Sequence, residues 1–203
     1  MHHKAFKKVL IASLVLILSI FPHKFSYASE IYSGSGDEIV DLKLTKKTLI
    51  VTFTHQGTSN FAVWAKDKNA ENIDLLVNEV GNYSGTTLVY PSGKTLKYLE
   101  ITADGTWTAD VKSLTSARKW SKKVIEGNGD DVIQLSKSLP SSTKIKFNFI
   151  GNSNFAVWTF DKNGKRLDLK ANEVGNYVGT KFLGKSVKYI QIIAAEGTWN
   201  LQR

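Results

Sequence analysis

The chain has no cysteine, three prolines, one methionine and, beyond residue 28, a single histidine, His55. Without cysteine there is no disulfide, thiolate nucleophile, zinc–thiolate cluster or lipidated N-terminal cysteine. Beyond residue 28 there is no histidine pair, and no His-Glu-x-x-His stretch is present, which argues against a zinc centre. No glycine-rich loop ending in Lys-Ser/Thr offers a phosphate cradle. Long apolar runs are also scarce. Val9 to Phe21 is the longest, about 13 residues, which is short for a membrane span and within the range of a signal-peptide core. Lys4, Lys7 and Lys8 precede it, Pro22 ends it, and Ser26-Tyr27-Ala28 puts small residues where signal peptidase cuts. Residues 1–28 read as a signal peptide and Ser29 as the mature start. The protein is therefore expected to be extracellular or wall-associated, with no stable membrane insertion after cleavage.

What remains is rich in core-forming residues: 42% of the chain is hydrophobic and 11% aromatic, enough to pack a core and too much for a disordered chain. The formal net charge is +9. Four of the 27 basic residues and none of the 18 acidic ones lie in 1–28, so the mature chain carries +5. A mildly basic exported surface suits anionic wall polymers, and export argues against nucleic acid as a partner.

An internal repeat sets the architecture. Gly57–Thr86 aligns without a gap on Gly151–Thr180, with 20 of 30 positions identical. Ser59-Asn60-Phe61-Ala62-Val63-Trp64 returns as Ser153 to Trp158, and Asn78-Glu79-Val80-Gly81-Asn82-Tyr83 as Asn172 to Tyr177. Gly105-Thr106-Trp107 returns as Gly197-Thr198-Trp199, and Gly36-Asp37 as Gly129-Asp130. A spacing of this size fits a small domain with its own core rather than a solenoid unit. Short β-branched runs, such as Thr48–Thr54 and Lys97–Thr102, alternate in polarity. Turn residues such as Asp67-Lys68-Asn69, Asn163-Gly164 and Pro91-Ser92-Gly93 separate them. The expectation is an all-β protein of two tandem antiparallel β-sandwich modules, 29–111 and 121–203, joined by a linker at 112–120. Around Trp120 stand Arg118, Lys119, Lys122 and Lys123, read either as a solvated connector with one packed tryptophan or as a basic cluster that docks on an anionic polymer.

The repeated pattern of Gly-Asp, Ser-Asn-Phe-Ala-Val-Trp, Asn-Glu-Val-Gly-Asn-Tyr-x-Gly-Thr and a closing Gly-Thr-Trp, preceded by Asp104 in the first copy and Glu196 in the second, resembles the prepeptidase C-terminal type of jelly-roll domain found in exported bacterial proteins. The resemblance covers nearly the whole mature chain twice. It implies a jelly-roll-like sandwich and says nothing of catalysis. It also departs from the usual setting, since no enzyme domain lies beside the modules.

The candidate ligand residues are those that recur. Phe61 and Val63 share one strand face, so with these inside, Trp64 points outward. Tyr83 falls in a glycine-punctuated stretch and is read as exposed, Trp107 as core, and His55 as a surface residue near a strand end, since Phe149 replaces it in the second copy. Aromatic faces stack on sugar rings and amides bond hydroxyls. Asn60, Trp64, Asn78 and Tyr83, with Asn154, Trp158, Asn172 and Tyr177, therefore form two equivalent candidate patches for bivalent binding of a cell-wall or other polysaccharide. No cofactor is expected. Asp37 and Asp130 are weak calcium candidates, since calcium wants about six to eight oxygens that no EF-hand-like spacing supplies; turn chemistry is the plainer role. A secreted protein partner, with the chain as inhibitor or matrix component, is the alternative reading. A small hydrolase using Glu79 and Glu173 is the second alternative.

Overall fold

The computed structural model describes residues 29–140 and 143–203. The expected signal peptide, 1–28, lies outside the described residues. The protein is all-β, built from four sheets.

The first half supplies eight strands: β1 (Glu30–Ser35), β2 (Glu38–Thr45), β3 (Leu49–Gln56), β4 (Asn60–Asp67), β5 (Asn72–Val80), β6 (Tyr83–Val89), β7 (Leu96–Thr102) and β8 (Thr106–Ser113). They form two antiparallel sheets, β1-β8-β3-β6 and β2-β7-β4-β5. Alternation decides which residues face inward. On β3, Leu49, Val51 and Phe53 enter the core while Thr52 and Thr54 face out; on β4, Phe61, Val63 and Ala65 enter while Trp64 and Lys66 face out. Each large apolar side chain so buried contributes roughly 1.5–3 kcal/mol relative to exposure.

The second half repeats the plan with β10 (Val124–Asn128), β11 (Asp131–Leu135), β12 (Lys144–Ile150), β13 (Asn154–Phe160), β14 (Arg166–Val174), β15 (Tyr177–Phe182), β16 (Tyr189–Ile193) and β17 (Thr198–Gln202). Its sheets are β10-β17-β12-β15 and β14-β13-β16-β11-β9, where β9 is Arg118–Trp120.

That extra strand corrects the expected linker. Residues 112–120 are built into the fold: β8 runs to Ser113, Leu114–Ser116 makes one 3₁₀ turn capped by Ser113, and β9 pairs in parallel with β11. The Arg118 guanidinium fastens the strand, donating from Nε and Nη2 to Asp131 Oδ2 at 2.8 and 2.6 Å and from Nη1 to the Glu126 carbonyl at 2.9 Å.

The modules do not hang free of one another. The outer face of β3 and β6, with Leu114 and Ala117, packs on the outer face of β11, β13 and β16 through Ile50, Leu88, Val132, Phe160 and Tyr189. Polar bonds rim this third core. Gln191 Nε2 donates to Thr87 Oγ1 at 3.0 Å, Tyr83 to Asp130 Oδ2 at 2.7 Å and Thr48 to the Asn163 carbonyl at 2.7 Å. The result is a stack of four sheets, in which one outer sheet belongs to each module.

Candidate functional site

Strand register places the repeated Asn, Trp and neighbouring polar residues on one sheet face. On the outer face of β2-β7-β4-β5, Ile39, Glu100, Trp64 and Leu75 form one row across the four strands, and Asp41, Tyr98, Lys66 and Asn72 form the next. Thr102, Ala62 and Asn78 continue it, and Asn60 lies beyond. Trp64 and Tyr98 are half-buried, Asn60 and Asn78 are exposed, and Ile39 is 65% exposed. Ion pairs hold the face flat: Lys66 Nζ sits 2.6 Å from Glu100 Oε2, and Lys97 reaches Asp41 while lying over the Tyr98 ring. The arrangement offers two aromatic rings, amides and carboxylates on an open platform.

The equivalent rows of the second module are Val132, Gln191, Trp158, Leu169 and Gln134, Tyr189, Phe160, Arg166. Here the platform is covered by the first module. Val132 and Phe160 are each 1% exposed, and Gln191 is buried by its bond to Thr87. Two substitutions between the copies explain the difference. Lys66 is replaced by Phe160, which fills the interface. Asn72 is replaced by Arg166, whose guanidinium stacks 4.6 Å over Trp158 and lies 3.5 Å from Asp74 of the first module. Burial pushes the Asp74 carboxyl up, with Arg166 pulling against it. These groups border an inter-module cleft of about 340 Å³ between Tyr90, Ser92 and Lys165. Asn154 and Asn172 are exposed near its covered neighbour Trp158. Two equivalent open patches, as bivalent binding requires, are not present.

Tyr83 is a second departure. It is buried, opens β6, and packs on Phe61 with ring centroids 5.8 Å apart. Its hydroxyl is held well above the ordinary tyrosine range, first by burial and then by the Asp130 charge and hydrogen bond. Its repeat, Tyr177, packs on Phe155 in the same way and is half-buried. Neither tyrosine lies on the Trp64 platform. The signal that could have revealed this is the glycine two residues on, repeated as Gly179: a Cβ on Gly85 would meet the Tyr83 hydroxyl oxygen at 2.4 Å, so the glycine leaves the space the ring fills. The platform residue the sequence reading missed is Tyr98, which stands in the alternating run Lys97–Thr102.

His55 is likewise buried, where a surface position was expected. Its ring stacks on Phe61 at 4.5 Å and its Nδ1 bonds the Gly81 carbonyl at 2.7 Å, as Phe149 stacks on Phe155 at 4.7 Å in the other copy. Nε2 is 3.4 Å from Asp104 Oδ1. Geometry suited to a hydrogen bond is lacking there, so the ring is a core filler with one polar anchor.

The weak metal candidates are turn residues. Asp37 Oδ1 accepts from Ala103 N at 2.9 Å, and Asp130 Oδ1 accepts from Ala194 N at 2.6 Å. Among the described residues, no three His, Asp or Glu side chains converge as a metal site. Glu79 is half-buried, and burial, then the charges of Asp130 and Glu196, push its carboxyl up; its counterpart Glu173 is exposed.

Comparison with known proteins finds only distant structural likeness. No family model matches the chain, and no curated protein does. The chain is similar to the solved structure of the PBSX exported protein XepA, at 13% identity over 86% of this chain and 85% of that one, TM-score 0.30. It is also similar to an f-lectin (fucolectin) from striped bass (Morone saxatilis) serum, at 10% identity over 85% and 83% of the two chains, TM-score 0.25. Likeness at this level carries no functional argument.

Proposed function

We propose that this chain is a secreted, non-enzymatic binding protein built from modules of the prepeptidase C-terminal type, and that its first module binds a cell-wall or other extracellular polysaccharide on the outer face of β2-β7-β4-β5. One observation carries the reading. The Trp64 row is open in the first module while its copy in the second is consumed as a docking surface. Half-buried Trp64 and Tyr98 stand beside the exposed Ile39 and Leu75, and apolar residues grouped on one exposed face support an interaction site. Around them Asn60, Asn72 and Asn78 supply amide donors and acceptors, and Glu100 and Asp41 accept from hydroxyls. The second module then acts as a rigid base rather than a second binding site.

The test is sedimentation of the mature protein with intact cell walls and with insoluble polysaccharides. Wild type is retained, and Trp64→Ala and Tyr98→Ala each lose about tenfold in affinity or more, with thermal stability held. Full retention by the double variant overturns the proposal. The same face in the second module holds another sheet, so a protein partner is the second reading; a partner recovered from culture medium by wild type and lost with Trp64→Ala would favour it.

A further inference from the structure

Three buried tryptophans anchor the two modules, and two of them are satisfied. Trp107 Nε1 donates to the Gly36 carbonyl at 3.0 Å, and Trp199 Nε1 to the Gly129 carbonyl at 2.8 Å. Trp120, at the end of β9, is 1% exposed and its Nε1–H has no acceptor among the described residues. The guanidinium of Arg203 lies over its ring, with Cζ 5.3 Å from the centroid. One donor of that group, Nη2, bonds the Ser121 carbonyl at 2.7 Å, while the buried Nη1 has no acceptor among the described residues. A buried donor without a partner gives up its hydration for nothing, which is why native folds rarely leave one. Here two lie against each other.

Trp120 also lines an open groove of about 430 Å³, together with Arg118, Lys119, Ser121 and Lys122. Lys119 and Lys122 are exposed and form no ion pair among the described residues, and Lys123 follows them. Glu126 is the one carboxylate on the lining. An indole N–H and the N–H of the guanidinium stacked on that indole, both lacking an acceptor among the described residues, beside a groove that carries the exposed Lys119 and Lys122, suit a compact oxyanion with several acceptor oxygens. A phosphodiester meets this description: it stays charged at any physiological pH, and its oxygens accept from both donors at once.

We propose that the groove at Trp120 is an anion site for a phosphodiester-linked extracellular polymer. Trp120 and Arg203 hold one phosphate, and Lys119 and Lys122 meet its neighbours along the chain. The site is separate from the Trp64 platform and stands whether or not that platform binds polysaccharide.

The experiment is an indole-¹⁵N titration of the mature protein with inorganic phosphate, then with poly(glycerol phosphate), with polygalacturonate as a control polyanion. The Trp120 resonance is identified by its loss in Trp120→Phe, which keeps the ring. The expected result is a downfield movement of that resonance with phosphate and retention on poly(glycerol phosphate). Retention falls about tenfold in Trp120→Phe and at least as much in the double variant Lys119→Gln/Lys122→Gln. Salt dependence also flattens in the lysine variant, since fewer screened charges remain. Trp64→Ala leaves the phosphate titration unchanged, which separates this proposal from the polysaccharide one. An unmoved Trp120 resonance under saturating poly(glycerol phosphate), or an equal response to polygalacturonate, overturns it. Should Trp120→Phe fail to fold, the lysine variant at the exposed positions decides the matter alone.

Discussion

The Tyr83 hydroxyl donates to Asp130 Oδ2 at 2.7 Å, tying the start of a strand in one module to a turn in the other. Asp130 is held from three sides, since its Oδ1 accepts from Ala194 N and its backbone carbonyl accepts from Thr86 N at 2.9 Å. The contact is also where the two copies part. Tyr177, the repeat of Tyr83, keeps the ring packing on Phe155 without a second module against it. Tyr83→Phe removes the bond and leaves a buried carboxyl short of a donor. The expected loss is about 1–3 kcal/mol, or several degrees in Tm for a chain of this size. Tyr177→Phe is expected to stay within about 0.5 kcal/mol. Thermal unfolding of the two variants side by side checks this.

The same hydroxyl makes the fold sensitive to alkali. Burial beside Asp130 raises the folded-state pKa of Tyr83, so the folded form resists losing the proton while the unfolded chain gives it up near its ordinary value of about 10. Stability from this group is therefore fully present below that value and is lost as pH rises beyond it. Denaturant midpoints measured from pH 8 to 11 should fall for wild type above about pH 10, and the fall should be shallower in Tyr83→Phe. Parallel curves would mean that another group governs the alkaline limb.

Much of this architecture is legible in the sequence, and the part that is not has one physical origin. Alternation in β3, β4 and β7 fixes which residues enter the first core, and the repeated Gly-Thr-Trp marks the strand starts at which Trp107 and Trp199 turn inside. Each of these rests on local spacing within one module. The face of Trp64 is legible too, from Phe61 and Val63 beside it. What one module does to another is not written in local spacing. Trp158 reads as solvent-facing because its own module leaves it so, and the neighbouring module packs against it; Tyr83 reads as exposed because it follows a glycine-punctuated stretch, while its ring packs on Phe61 in its own core and its hydroxyl reaches the neighbouring module. The trace of that event lies in the differences between copies, Lys66 against Phe160 and Asn72 against Arg166, rather than in the matches. The linker misread has the same cause, since β9 pairs with a strand from the following module and carries no apolar alternation of its own length.

Those differences give a direct test of docking. Phe160 is 1% exposed within the inter-module core, and its counterpart Lys66 stands on an open face. Phe160→Lys puts an ammonium into that core, where Asp74 on the same cleft is already paired with Arg166, a change expected to cost about 3–5 kcal/mol at the interface. The modules keep their own cores, so secondary structure persists while docking is lost. Small-angle scattering should show a larger radius of gyration, and unfolding should resolve into two transitions. The single change Arg166→Ala, which removes the stack on Trp158 and the Asp74 pair at a half-exposed site, should cost no more than about 1 kcal/mol.

Glycine serves two different purposes here, and substitution separates them. Gly127 lies under the Trp199 ring, and a Cβ built on it would meet Cζ2 at 2.4 Å; Gly34 stands in the same relation to Trp107. Both have ordinary strand backbone, so the demand is for space alone. Gly127→Ala must push the indole outward, which strains the core and lengthens the bond from Trp199 Nε1 to the Gly129 carbonyl. Overpacking of this kind costs about 1–3 kcal/mol, and the lost hydrogen bond adds about 1 kcal/mol. Gly93 has open space around it and a φ of 87°. Gly93→Ala therefore pays only for the left-handed backbone, about 1–2 kcal/mol. The two variants are told apart by the indole itself. Near-ultraviolet circular dichroism and tryptophan emission should change in Gly127→Ala and match wild type in Gly93→Ala. A Gly127→Ala protein with wild-type spectra and midpoint would mean that the ring has room the structure does not give it.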